Sequence, residues 1–410
     1  RSEEVFLPDY YKRNRYVFEH TYPGPGTYQI IVEDPNRNQG VKNIPNSVNV
    51  VFSIKTILII NPEIGYNNAP VLLNPPIDKA ALGYTFIHNP AAFDPDGDSL
   101  SYKLAICTEE DGKEIEGYTF PPFSDSLVVN ELTGDLIWAA PTDTGKYNVA
   151  MTIEEWRNGV QIGRIQRDMQ IEVYLSDNNP PEIRDVGTYC ILAGESFSTE
   201  LTATDPDGDS VLLEATGGPL SLEKNPARFR QVLSVRGMAK ATFNWTTSCD
   251  LVRQQPYLVI VKAKDLNSEL QLIDSKSLEL YVNAPAPENL TSDPGSASIK
   301  LNWNPCSCAN AVGYRIYRKI GSREFSPDEC ETGLPDELGY KLIAENSGHE
   351  NIEYLDNNQG NGLQQATDYC YRVTAFFEDG AESFASNESC AQLVKGSPAI
   401  IQVSVEETDE

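Results

Sequence analysis

The sequence predicts an all-β chain of β-sandwich modules that follow one another in an extended string, and three observations predict it. Strand-length segments alternate apolar and polar residues, as in Tyr147-Asn-Val-Ala-Met-Thr-Ile153, Tyr257-Leu-Val-Ile-Val-Lys-Ala263, Ile299-Lys-Leu-Asn-Trp303 and Tyr369-Cys-Tyr-Arg-Val-Thr-Ala375. A period of two places every second side chain on one buried face. Pro, Gly, Asn and Asp interrupt the chain every eight to twelve residues, and helical periodicity is scarce. Finally, a unit recurs at constant offset. Asn68-Ala-Pro70 and Asn179-Pro-Pro181, Gly83-Tyr-Thr-Phe86 and Gly194-Glu-Ser-Phe197, and Asp94-Pro-Asp-Gly-Asp98 and Asp205-Pro-Asp-Gly-Asp209 each stand 111 positions apart. Such constancy marks one structural unit copied twice. Beyond it the register slips: Trp138 answers Trp245, Tyr147 answers Tyr257, and Ile171-x-Val173 answers Leu278-x-Leu280. The length changes fall in loops, where a sandwich tolerates them.

Composition bounds what such a chain does. At 410 residues it has room for roughly two to four domains, each with a core of ordinary size. Sixty acidic against 32 basic residues give a net charge of −28, a field that repels phosphate backbones and anionic lipid. Nucleic acid is therefore excluded as a partner. The most apolar stretch, Val48 to Ile60, contains Ser53 and Lys55, so no membrane insertion is expected within this segment. The chain begins at Arg1 without a signal peptide, which predicts a removed leader or a fragment.

Eight cysteines without a Cys-x-x-Cys pair argue against zinc and thioredoxin-like chemistry. Five of them, Cys306, Cys308, Cys330, Cys370 and Cys390, fall in the last quarter, and that clustering predicts disulfides in an oxidising compartment. The expected bridges are Cys370 to Cys390, Cys330 to Cys306 or Cys308, and Cys190 to Cys249, leaving Cys107 as a buried free thiol and one cysteine of the 306/308 pair unassigned.

Four blocks result, with a tail. Residues 1–61 carry His20-Thr-Tyr-Pro-Gly-Pro-Gly-Thr-Tyr28 and a strand from Gln29 to Glu33, which resembles the closing half of a PKD-like sandwich. Only three or four strands fit there, so a partial domain is expected. Residues 62–176 and 177–283 are the two repeats. Residues 284–395 contain Pro285-x-Pro287, Leu301-Asn-Trp303, Gly313-Tyr-Arg-Ile-Tyr-Arg318 and Thr367-Asp-Tyr-Cys-Tyr-Arg-Val-Thr-Ala375, and resemble a fibronectin type III domain. That resemblance implies a core Trp303 and a tyrosine corner at Tyr369, while the insertion Phe325 to Gly339 departs from the family's short loop. Residues 396–410 read as a linker or the start of a further β domain.

The two Asp-Pro-Asp-Gly-Asp segments are the candidate site. Calcium takes six to eight oxygens in flexible geometry, and alternating carboxylates on a Gly-containing turn supply several from one loop. An EF-hand is ruled out: Lys103 stands where the first loop would need its Glu, and although Glu214 lies six past Gly208, Val211-Leu-Leu-Glu-Ala215 reads as a strand and not a helix. The repeats resemble instead cadherin-like and related bacterial immunoglobulin-like domains, where such loops follow an Asp/Asn/Pro linker. The resemblance implies calcium at the domain junction, gathering Asp177 and Asn178 with Asp205, Asp207 or Asp209, and by repetition Asp94, Asp96 and Asp98. Strand parity adds Glu155, on the face of Val149, Met151 and Ile153, and Asp265, on the face of Val259, Val261 and Ala263. The linkers Asn67-Asn-Ala-Pro70 and Asn283-Ala-Pro-Ala-Pro287 lack an acidic residue, a departure from that pattern.

Catalytic constellations are not apparent. His20, His88 and His349 lie in separate blocks and read as loop or surface residues. Glu154-Glu155 and Glu109-Glu110-Asp111 are adjacent carboxylates and not opposed partners, and no nucleophile elbow, His-Glu-x-x-His or phosphate loop occurs. Trp138, Trp245 and Trp303 recur at matching positions and read as core. Trp156, with Tyr10, Tyr11 and Tyr16, could instead offer a sugar-stacking surface.

The module succession, with Ile401-x-Val-Ser-Val-x-x-Thr-Asp409 leading into another repeat, resembles gliding-motility-associated surface proteins of Bacteroidetes exported by type IX secretion. That resemblance implies a non-enzymatic structural or adhesive segment on the bacterial outer surface, with calcium-stiffened joints. Its partners would be other surface proteins, secretion machinery or extracellular glycans. Two alternatives remain: an accessory region of a large secreted hydrolase, and a carbohydrate-binding module.

Overall fold

The computed structural model describes residues 3–7, 11–184 and 186–393; the expected continuation at 396–410 lies outside the described residues. Strands and loops make up nearly the whole of it, in mainly antiparallel sheets that face one another as sandwiches. The chain divides into two compact units. One comprises Arg1–Tyr189, Ser196–Thr246 and Gln255–Leu280, and the other Cys190–Glu195, Thr247–Gln254 and Tyr281–Glu410.

Among the strands of the first unit are β1 (Gly26–Asp34), β2 (Phe52–Ile60), β3 (Phe86–His88), β4 (Ser99–Ala105), β5 (Leu127–Val129), β6 (Leu136–Trp138), β7 (Gly145–Arg157) and β8 (Val160–Tyr174). β7 and β8 form a long hairpin whose register runs from Gly145–Val173 to Arg157–Val160. β2, β8, β7 and β4 lie in that order in one sheet, with β1 on β2. The strands of residues 1–61 that form the β1–β2 hairpin thus share a sheet with the first repeat.

The smaller sheet, β5-β6-β3, faces it. Between them Leu136, Trp138, Val149, Met151 and Ile153 are fully buried, as the alternation in β7 requires. The even-numbered face of β7 is covered too, by Val41, Ile44 and Ile115 around Ala150 and Cys107. Beside them Arg37 makes a buried ion pair with Asp168 at 2.6 Å and donates to the Thr108 carbonyl at 2.8 Å.

The second repeat contributes β9 (Glu182–Arg184), β10 (Thr188–Leu192), β11 (Ser196–Thr204), β12 (Val211–Gly217), β13 (Arg228–Val235), β14 (Met238–Thr246), β15 (Tyr257–Asp265) and β16 (Ile273–Asn283). They make two four-stranded sheets, β9-β11-β14-β13 and β10-β16-β15-β12. Trp245 copies Trp138 closely. Each indole donates to a loop carbonyl at 3.1 Å, that of Pro122 for Trp138 and of Asn225 for Trp245. Each also meets a tyrosine edge-on, Tyr147 at 5.4 Å and Tyr257 at 5.1 Å. Within this unit the repeats touch directly: Lys262 pairs with Asp78 at 2.6 Å, Ser277 donates to Asp135 at 2.9 Å, and Ile273 packs into the first repeat's core.

The second unit is a sandwich of β17 (Glu288–Pro294), β18 (Ile299–Asn304) and β21 (Glu353–Asp356) against β20 (Lys341–Ser347), β19 (Gly313–Ile320), β22 (Asp368–Phe376) and β23 (Ser389–Gln392). Trp303 is buried, and the Tyr369 hydroxyl accepts the Gln364 amide at 3.0 Å, so the tyrosine corner forms where the motif placed it.

Three disulfides lie in this unit. Cys370–Cys390 joins directly opposed residues of β22 and β23, as expected. The other expected pairings are corrected: Cys190 bonds Cys330 and Cys249 bonds Cys308, with Cα–Cα distances of 5.3 and 5.2 Å. These bridges fasten segments 190–195 and 247–254 to the module after residue 281. Their connectivity follows from where loops end in space, which spacing along the chain does not encode. Cys107 and Cys306 are buried free thiols; burial raises the pKa of both above the ordinary thiol value.

Candidate metal centres

Each Asp-Pro-Asp-Gly-Asp segment folds into the same corner, and the backbone explains why. Gly97 and Gly208 sit at φ +87° and +81°, conformations that a side chain would strain. Their amides return to the Asp94 and Asp205 carbonyls at 3.3 Å. The Asp94 carboxylate accepts the Asp96 and Asp98 amides at 2.9 and 3.0 Å, and Asp205 accepts those of Asp207 and Asp209 at 3.0 and 2.9 Å. The Asp side chains thereby hold the turn themselves.

The linker closes each corner in the same way. Asn68 donates its backbone and side-chain N–H groups to Asp96 at 2.6 and 2.8 Å, and Asn179 does so to Asp207 at 2.7 and 2.9 Å. Asn67 donates to Glu155 at 2.9 Å, and Asn178 to Asp265 at 2.9 Å. Parity thus brings the strand-end carboxylates to the corners, with Glu155 and Asp265 on the buried face of their strands.

The first corner draws Asp94, Asp98 and Glu155 together, with one carboxylate oxygen of each within 4.8 Å of the others. All three are buried. Burial raises the Glu155 pKa to about 8, and the adjacent Asp94 acts in the same direction; burial likewise raises Asp94. In the second corner burial raises Asp265, with the Asp205 charge adding to the effect. Asp177 is exposed and lines an open cleft of ≈ 740 Å³ with Asn178, Asp207 and Asn267.

Three carboxylate oxygens in these corners, Asp94 Oδ2, Glu155 Oε1 and Asp205 Oδ2, are buried without a hydrogen-bond partner. Leaving such an oxygen unpaired costs about 1–3 kcal/mol or more. An oxygen-seeking cation removes that penalty, so the donor set fits calcium.

Two features escaped sequence reading. Arg157, two residues past Glu155, reaches into the first corner. His88 is a correction to the expected loop or surface role: it is buried, with Arg167 3.2 Å from its Nε2 and Asp78 3.8 Å from its Nδ1. Trp156 is half-buried and donates to Ser101 at 2.9 Å. The alternation of β7 could have signalled Arg157, since positions 155 and 157 share a strand parity.

No protein-family model and no curated protein matches the chain. Among solved structures, domains A168-A170 from titin are 15% identical, covering 79% of this chain and 96% of that one at a TM-score of 0.23. The chicken CNTN1 FN1-FN3 domains are 13% identical, covering 78% and 97% at a TM-score of 0.22. Scores this low carry no weight for function. Among the described residues no helix is long and apolar enough to cross a membrane.

Proposed function

We propose that this chain is a non-catalytic structural or adhesive segment of a large secreted or cell-surface bacterial protein, with calcium stiffening its acidic corners. The observation that carries the reading is the duplicated corner: at each one a linker Asn-Asn pair meets an aspartate loop that holds a buried carboxylate oxygen without a partner. A cation there would couple the linker to the module it enters and reduce the freedom of the joint. Asp205, Asp209 and Asp265 are the carboxylates that would hold it in the second corner, and Asp94, Asp98 and Glu155 stand at the matching places in the first.

Three disulfides support an oxidising, extracellular setting. The resemblance in module order supports the finer reading, a gliding-motility-associated surface protein exported by type IX secretion whose partners are other surface proteins or glycans.

Thermal melting tests the calcium reading. A cation at 100 times its Kd adds about 2.7 kcal/mol, so calcium is expected to raise Tm by several degrees over chelator. Asp205→Asn and Asp207→Asn should shrink that difference. The same Tm in calcium and in chelator for all three proteins would reject the reading.

A further inference from the structure

We propose that the two corners are unequal: Arg157 is a resident cation that closes the first without metal, and the second, where Asn267 takes its place, is the corner that binds a divalent cation. This rests on the calcium reading above and specifies where it applies.

The first corner's oxygens are already gathered around a positive charge. Arg157 Nε donates to Asp98 Oδ1 at 2.7 Å, and Nη1 donates to the carbonyls of Ile64 and Tyr66, both at 2.9 Å. Nη2 donates to Asn67 Oδ1 at 3.2 Å and to Asp98 Oδ2 at 2.5 Å. These five bonds use all the N–H groups a guanidinium has. They collect one loop carboxylate, two linker carbonyls and one linker amide oxygen, which are the kinds of ligand calcium takes. With both Asp98 oxygens engaged, Asp94 Oδ2 and Glu155 Oε1 are the oxygens of this corner left buried without a partner, and a metal ion beside them would face the positive charge of the guanidinium.

The second corner has the same frame and a different charge. Asn267 follows Asp265 by two residues, as Arg157 follows Glu155, and it donates to Asp209 Oδ2 at 2.8 Å and to Asn178 Oδ1 at 3.3 Å. Its Oδ1 accepts the Glu269 and Leu270 amides at 2.9 and 3.3 Å, so a neutral group held in its own turn stands where the first corner has a guanidinium. Tyr66, fully exposed beside the first corner, is answered 111 positions on by Asp177. The second corner therefore carries one carboxylate more, and its guanidinium, Arg236, bonds the Gly208 carbonyl at 3.3 Å and not the corner's carboxylates. It opens on the cleft lined by Asp177, Asn178 and Asp207, and Asp205, itself only 7% exposed, keeps a buried oxygen without a partner.

Calorimetric titration of the full chain with calcium chloride tests the assignment, beside Asp96→Asn, Asp207→Asn and Arg157→Asn. Asp96 and Asp207 are exposed, so their variants disturb folding least. One cation per chain is expected, unaffected by Asp96→Asn and weakened at least tenfold by Asp207→Asn. Arg157→Asn should add a second binding event, and a melting temperature in the Asp207→Asn background that rises with calcium. Two cations on the unaltered chain, or one that Asp96→Asn weakens and Asp207→Asn does not, would overturn the assignment while leaving the calcium reading in place. No binding heat and no change in Tm would sink both.

Discussion

Single residues show how burial changes what a charged group does. His88 sits among Asp78, Arg167 and Lys262, and burial holds its pKa down at about 4, with Arg167 and Lys262 acting in the same direction and Asp78 against them. The Arg167 guanidinium lies against Nε2, which suits a neutral imidazole whose Nδ1 carries the proton facing Asp78. In the unfolded chain the same imidazole titrates near 6.5. Between pH 6.5 and about 4 the unfolded chain therefore takes up a proton that the folded chain refuses, and stability falls as pH drops through that window. The loss approaches ~3 kcal/mol at the acid end. Urea unfolding of the wild type and of His88→Gln across that range should show the difference: a flatter profile for the variant is expected, and parallel profiles would exclude His88 as the source.

At the level of elements, the β7–β8 hairpin builds the first corner through a small residue. Gly163 lies directly opposite Glu155 in the ladder, and a methyl group there would stand 2.4 Å from Glu155 Oε2. The strand backbone at Gly163 is extended, so space and not conformation demands glycine. Gly163→Ala is expected to displace the carboxylate from Asn67 and to destabilise the first unit by about 1–3 kcal/mol. In a Glu155→Ala background the same substitution should cost much less, because the clashing atoms are gone. A double-mutant cycle by urea unfolding measures the coupling, and a cost that is equal in both backgrounds would contradict this packing account.

For the molecule as a whole, the two kinds of stabiliser are segregated. All the corner carboxylates fall in the first unit and all three disulfides in the second. Scanning calorimetry is therefore expected to resolve two transitions that respond to different reagents. Chelator should lower the transition of the first unit and leave the other in place. Reductant should lower that of the second, by the equivalent of about 2–4 kcal/mol per bridge. A single transition that both reagents shift equally would show that the chain unfolds as one body.

By itself the sequence determined the strand-built class, the repeat and the residue types of the site. Alternation alone placed Val149, Met151, Ile153 and Glu155 on one buried face, because the pleat has a fixed period of two. Likewise the offset between Asp94 and Asp205 signalled two like corners, because local turn chemistry travels with its sequence. Tertiary structure decided what depends on distant segments meeting. Cys190 with Cys330, Arg37 with Asp168, and Arg157 with the linker carbonyls are contacts between positions that no local pattern relates. Periodicity sets which way a side chain points. What waits there is set by how loops of unequal length return to the sandwich, and that is a property of the packed chain.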